Sequence, residues 1–205
     1  MVLLPFSIAI APAPMNVFIG FLIAAFLARK LLRREWLFSK GPVNLPLLAL
    51  FIIICLSAIN SVSLKDTVKG GIFRWLQYII VFYIYAQELK DKKHLRKVVF
   101  SMCLGAALAS FNGIFQVLTG RDFIRGYQPI LNIGLLRAKA SFKDANILGI
   151  YLSALAPLII GLTLYYYRGI KKSAAAFISL LALIGIFITY SRPTLLAMYI
   201  VFFFF

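Results

Sequence analysis

Two stretches of this chain, Leu45–Val62 and Val98–Leu118, run for 18 and 21 residues without a charged side chain. At about 1.5 Å of rise per helical residue, each is close to the ~30 Å thickness of a bilayer's hydrocarbon core. Lipid offers the backbone no hydrogen-bond partner, so a segment immersed in it must bond to itself or close into a barrel. The period-2 alternation of a barrel strand is absent, which leaves α-helices. With 62% hydrophobic and only 14% charged residues, the sequence describes an all-α, polytopic transmembrane helical bundle.

Apolar runs place helices at about 3–28, with a break at Ala11–Pro14, then at 45–62, 73–88, 98–118, 146–167 and 174–190. A further one starts at Thr194, giving six to seven spans in a single transmembrane domain over 1–205, with an outer-face loop at 119–145. The twelve residues Thr194–Phe205 would rise ~18 Å as a helix, short of a full crossing. The chain is therefore expected to be the truncated N-terminal part of a longer protein. Its N-terminus lacks the basic first segment of a secretory leader and reads as membrane domain.

Orientation follows from the basic clusters. Arg29, Lys30, Arg33 and Arg34 form one; Lys90, Lys92, Lys93, Arg96 and Lys97 a second; Arg168, Lys171 and Lys172 a third. They alternate with less basic connections as cytoplasmic clusters do. With Lys40 they put thirteen Lys and Arg on the cytoplasmic side and nine outside. The net charge of +16 thus sits mostly at helix ends, facing anionic headgroups, and no nucleic-acid partner is expected. Trp36, Trp75 and Tyr165–Tyr167 fall at the same boundaries, where interfacial aromatics belong. Cys55 and Cys103 lie within apolar runs and read as small buried hydrophobes. Gly149, Ser153, Pro157 and Gly161 recur every four residues, a stripe suited to close helix packing.

The outer residues are Lys65, Lys69, Arg74, Arg121, Arg125, Arg137, Lys139, Lys143 and Arg192, and five of them crowd into 121–143. Cations retained against the usual bias call for an anion. Guanidinium groups match phosphate oxygens as a two-pronged fork and lysine adds point charge, so this set suits a diphosphate at the lipid–water boundary. Ordinary headgroup contact by an interfacial segment is the alternative. Asp144 or Asn146 can cap the helix that follows, whose first-turn amides also favour a nearby anion. Thr189–Pro193 closes the sixth helix on the same side and brings Arg192 to the depth of that cluster.

No Asp, Glu, Lys, Arg or His lies mid-helix from position 45 onward, which argues against an ion-coupled transporter, since coupling needs ionisable groups at membrane depth. A multi-span transporter or flippase of anionic lipid-linked substrates is the alternative functional reading. His94 sits among lysines on the cytoplasmic side and reads as a solvated loop residue. There is no metal-ligand cluster, phosphate loop or nucleophile elbow, so neither metal nor cofactor is expected.

The order of Ser57–Ser63, Lys69–Arg74, Gly113–Gln116, Ser141–Asn146 and Ser191-Arg192 resembles the O-antigen ligase and polymerase family of bacterial membrane proteins. That resemblance implies a multi-pass glycosyltransferase of the bacterial inner membrane, acting in cell-surface polysaccharide and lipopolysaccharide synthesis. It would move a glycan from a polyprenyl diphosphate, such as undecaprenyl diphosphate, to an acceptor sugar at the periplasmic face, without nucleotide or metal. By position, Arg192, Arg137, Lys139 and other basic residues of the outer segment would grip the diphosphate, and Asp144 and Asn146 would shape the start of the next helix. The chain departs from the family in lacking its further helices and its large periplasmic loop with an important histidine. Ala145 also stands where many relatives have proline. No catalytic residue is assigned, the polypeptide is expected to lack transfer activity by itself, and a separately encoded C-terminal half is a candidate partner beside membrane lipids and the lipid-linked glycan.

Overall fold

The computed structural model describes residues 1–34, 43–59, 61–89, 91–132 and 134–204, of Phe204 the backbone alone. Trp36, Lys40, Asn60, Lys90 and Phe205, which the sequence reading uses, lie outside the described residues. The chain is mostly helical: α1 Leu3–Ile10, α2 Pro12–Arg33, α3 Asn44–Ser57, α4 Leu64–Asp66, α5 Phe73–Glu88, α6 Lys92–Thr119, α7 Ala145–Gly161, α8 Ile170–Phe187 and α9 Arg192–Phe204. π-helical turns at Thr67–Ile72 and Leu162–Tyr166 lead into α5 and out of α7.

Local chemistry accounts for the boundaries. Ala11 is extended, at φ −166° and ψ 156°, because the ring of Pro12 disfavours helical geometry in the residue before it. Pro12 itself opens α2, where its missing N–H costs nothing. Gly169 takes φ +56°, the left-handed region that lets the chain reverse from the π turn into α8.

Four helical stretches are long and apolar enough to cross a membrane: Pro12–Arg33, Lys92–Thr119, Ala145–Tyr166 and Ile170–Phe187. This is a membrane protein by that criterion. Against the expectation of six to seven spans, Asn44–Ser57 and Arg192–Phe203 are apolar but shorter. The apolar run from 45 continues past Ser57, yet its helix unwinds there into turns, with the Ala58 amide reaching back only to Cys55. Within α5, Arg74 and Glu88 bracket a run too short to qualify.

The chain divides into two compact units, Met1 with Val17–Leu95, and Val2–Asn16 with Arg96–Phe205. In the first, Ile19 and Ile84 are buried, while Leu45, Ile53, Leu56, Phe73 and many other large apolar side chains lie open, as suits a lipid-facing surface. The Arg29 guanidinium grips the Glu88 carboxylate with two nitrogens. The C-terminal ends of α2 and α5 therefore meet, as the shared sidedness of their basic clusters requires.

The second unit holds the larger core: Ala106 and Ala109 of α6, Leu148, Leu152, Ala156 and Ile159 of α7, Ala182 and Ile186 of α8, and Met198 of α9. Small residues bring backbones close. A methyl group on Gly185 would stand 2.7 Å from Leu152 Cδ1, and one on Gly149 would stand 2.6 Å from Thr194 Oγ1. The four-residue stripe of α7 is thus a packing surface at Gly149, whereas a methyl group at Gly161 would meet nothing within 4 Å.

Candidate functional site

Between α6 and α7 the chain forms a 25-residue loop, 120–144, at the end of the second unit where α8 also terminates. Its middle is a two-stranded antiparallel hairpin, β1 Ile130–Asn132 with β2 Leu135–Arg137, Ile130 standing opposite Arg137. This is a small β element that the apolar-run reading did not include.

Two neutral amides on α6 hold the loop. Asn112 and Gln116, four residues apart and so on one face of the helix, are both fully buried. Gln116 accepts hydrogen bonds from the backbone amides of Lys139 (2.8 Å) and Ala140 (2.9 Å), and donates to the Tyr127 carbonyl at 2.8 Å. Asn112 donates to Ser141 Oγ at 2.9 Å and accepts from the Phe123 amide at 3.1 Å. Ala140 is held at φ +47°, a left-handed conformation costly for a residue with a Cβ, which the Gln116 bonds secure. Asp122, buried beside Asn112, accepts the amides of Ile124, Arg125 and Tyr127. Its charge is absorbed in folding the loop back on itself.

The residues expected to grip an anion fall into two groups. In the first, the Arg125 guanidinium lies 4.4 Å from the centre of the Tyr127 ring, and the Lys139 ammonium 5.0 Å from the same ring. Arg125 also donates to the Ser141 carbonyl at 3.2 Å. Cation–π contact positions both charges without neutralising them.

The second group centres on Arg137. Its Nε donates to the Thr189 carbonyl at 2.8 Å and one Nη to Asn146 Oδ1 at 2.9 Å, while the next residue's amide, Ala138 N, bonds the Ile188 carbonyl at 2.9 Å. The side chain thus ties the loop to the end of α8 and the first turn of α7. Of the five N–H donors of a guanidinium, two are engaged and three remain. Asp144 caps α7, accepting the Asn146 amide at 2.6 Å. Of the two candidate caps it is the one used, and Asn146 instead orients Arg137. Arg192 opens α9 three residues beyond Thr189. It is exposed, and the buried Ser191 before it receives a hydrogen bond from Thr194 Oγ1 at 2.8 Å.

Among the described residues, Arg121, Lys143 and Arg192 share no hydrogen bond, ion pair or ring contact with either group, and all three are exposed. The loop carries five cations against Asp122 and Asp144, a net charge of +3, and both carboxylates are already occupied by backbone amides. What results is a hydrogen-bonded, partly open cationic surface at a helix-bundle end, with the charge to meet a multiply charged anion. Of its supporting residues, Asn112, Asp122 and Tyr127 were not singled out from the sequence, while Gln116 and Thr189 entered only as members of Gly113–Gln116 and Thr189–Pro193. The available signal was two amide side chains four apart in an otherwise apolar run.

The chain matches no family model, and neither a curated protein nor a solved structure is similar to it. Among the described residues no group of three or more metal-ligating side chains occurs.

Proposed function

We propose that the loop 120–144 and the adjoining helix ends bind the diphosphate of a polyprenyl-linked glycan, and that the chain serves a membrane glycosyltransferase of the O-antigen ligase and polymerase type. The observation carrying this reading is the double anchoring of Arg137 on Thr189 and Asn146. A side chain already fixed in one orientation loses little freedom on binding, and its three remaining N–H donors match phosphate oxygens in geometry. Arg125 and Lys139, poised on Tyr127, add charge from the hairpin side, and Arg192 from the start of α9. Arg121, Asp144 and Asn146 complete the proposed substrate-binding set, the last two by shaping the first turn of α7.

In glycan transfer the bond between the anomeric carbon and the diphosphate oxygen breaks as the acceptor's hydroxyl oxygen bonds to that carbon and its proton passes to water at the membrane surface. The electron pair leaves with the diphosphate, so negative charge grows there. Cations placed in advance lower the barrier for that departure. The chain's part in this scheme is to hold the leaving group at the membrane surface. The bacterial inner membrane and its periplasmic face are the setting this reading implies.

The test is binding in nanodiscs of zwitterionic lipid, with polyprenyl diphosphate compared against polyprenyl monophosphate and polyprenol. The diphosphate is expected to bind tightest, and Arg137→Ala and Arg192→Ala each to weaken it about tenfold or more, a charge-assisted hydrogen bond being worth ~1.5–3 kcal/mol. Equal affinity for polyprenol and its diphosphate, or variants that bind like the parent chain, would overturn the proposal.

A further inference from the structure

The opposite end of the second unit holds a cavity of about 620 Å³, open on one side and bordered by the start of α6, the π turn after α7 and the start of α8. Arg96, on its wall, precedes Thr119 by 23 residues on the continuous helix α6, a separation of ~35 Å. The cavity and the loop 120–144 therefore lie at opposite faces of a membrane that α6 crosses. Its volume falls within the ~300–1,000 Å³ typical of small-molecule sites.

The lining has two chemistries. Phe100, Leu104 and Ile178 supply apolar wall, with small alanines between them; Arg96, Arg168 and Lys171 supply three cations. Among the described residues none of these three has an ion pair or a side-chain hydrogen bond. Three like charges around one cavity repel each other unless an anion joins them. Tyr166 and Tyr167 stand edge to face at 5.3 Å at the same place, the position of interfacial aromatics at headgroup level. Burial pushes the Tyr167 hydroxyl's pKa up.

We propose that this cavity binds an anionic glycerophospholipid, its phosphate held by Arg96, Arg168 and Lys171 and the start of an acyl chain lying against Phe100, Leu104 and Ile178. A soluble phosphate would use the cations and leave the apolar wall wet; a zwitterionic lipid would fill the wall and leave the charges uncompensated. Only an anionic amphiphile satisfies both, and basic pockets between helices at the cytoplasmic boundary recognise such headgroups. The site is independent of the outer loop and needs no glycan substrate.

The experiment uses the full chain in nanodiscs of phosphatidylcholine doped with phosphatidylglycerol, and native mass spectrometry to count retained lipids. Phosphatidylglycerol is expected to be retained selectively. The triple variant Arg96→Ala, Arg168→Ala, Lys171→Ala should weaken that selectivity about a hundredfold, at about fivefold per charge near the surface. Lys92→Ala, Lys93→Ala, Lys172→Ala removes the same charge outside the cavity and should leave it intact. Ala174→Trp fills the cavity with every charge kept and should also abolish retention, which preserves the test if the triple variant misfolds. Retention unaffected by filling the cavity, equal loss in both triple variants, or displacement of the lipid by excess inorganic phosphate would each overturn the proposal. In the cavity variants polyprenyl diphosphate binding should keep its dependence on Arg137 and Arg192, so this inference and the outer-face reading fail separately.

Discussion

Replacing Gln116 with leucine removes its amide at nearly constant volume, so the change tests hydrogen bonding rather than cavity formation. In the folded chain this side chain satisfies three backbone groups at 2.8–2.9 Å: the amides of Lys139 and Ala140 and the carbonyl of Tyr127. At a net ~0.5–1.5 kcal/mol each, their loss costs ~1.5–4.5 kcal/mol, or roughly tenfold to a thousandfold and more in the closed-to-open ratio of the loop. Water can reach the released groups once the loop lifts, so the damage should stay local. Ala140, freed from φ +47°, relaxes as it does so and adds to the drive to open. Hydrogen–deuterium exchange of the chain in nanodiscs reads the effect directly. Peptides covering 136–142 should lose protection by the stated factor in Gln116→Leu, while the cores of α7 and α8 keep theirs. Leu118→Ala, two residues away on the exposed face of α6, should change neither. Unchanged protection at Lys139 and Ala140 in Gln116→Leu would refute the claim that α6 holds the outer loop through this amide.

The two stripe glycines of α7 should behave oppositely. Gly149→Ala forces a methyl group to within 2.6 Å of Thr194 Oγ1 and should destabilise by ~1–3 kcal/mol, whereas Gly161→Ala, with open space around it, should be neutral or stabilising by up to ~1 kcal/mol; thermal unfolding in detergent checks both. Asp144→Ala removes the cap of α7 and should lower stability by ~1 kcal/mol in the same assay, with Asp144→Asn largely retaining it. Asp91 accepts the Lys93 amide and lies 3.0 Å from His94 Nδ1, and these contacts hold its carboxyl below the usual carboxylate range. A depressed folded-state pKa means the contribution is present above the unfolded value near ~4 and is lost as pH falls through the folded one. An NMR titration should therefore place the Asp91 midpoint below that of Asp91 in a short peptide, with the Lys93 amide signal moving at the same midpoint.

Part of this protein was legible residue by residue because the bilayer acts as a local rule. An apolar run in lipid must close its own backbone hydrogen bonds, so approximate helix positions, a break within Ala11–Pro14 and a cap at Asp144 or Asn146 follow from neighbours within a few places in the chain, and the fold selects Asp144. The basic clusters likewise declare which helix ends share a face, and the Arg29–Glu88 pair joins two of them. Whether a run becomes a helix of full membrane length is less local. The run from 45 stops being helical at Ser57 although its apolar character continues. The anion-holding groups were named as residue types, since five cations in one segment are visible without coordinates. Their arrangement was not visible. Arg137 meets a carbonyl 52 positions away, and Gln116 meets amides 23 and 24 positions away. Such pairings are set by how α6, α7 and α8 pack, through glycines and alanines whose spacing permits many crossings and whose actual one only the assembled core selects. The cavity at the other end has the same origin: Arg96 and Arg168 are each ordinary helix-end cations, and it is the placement of the connection between α7 and α8 beside the start of α6 that brings them to one cavity.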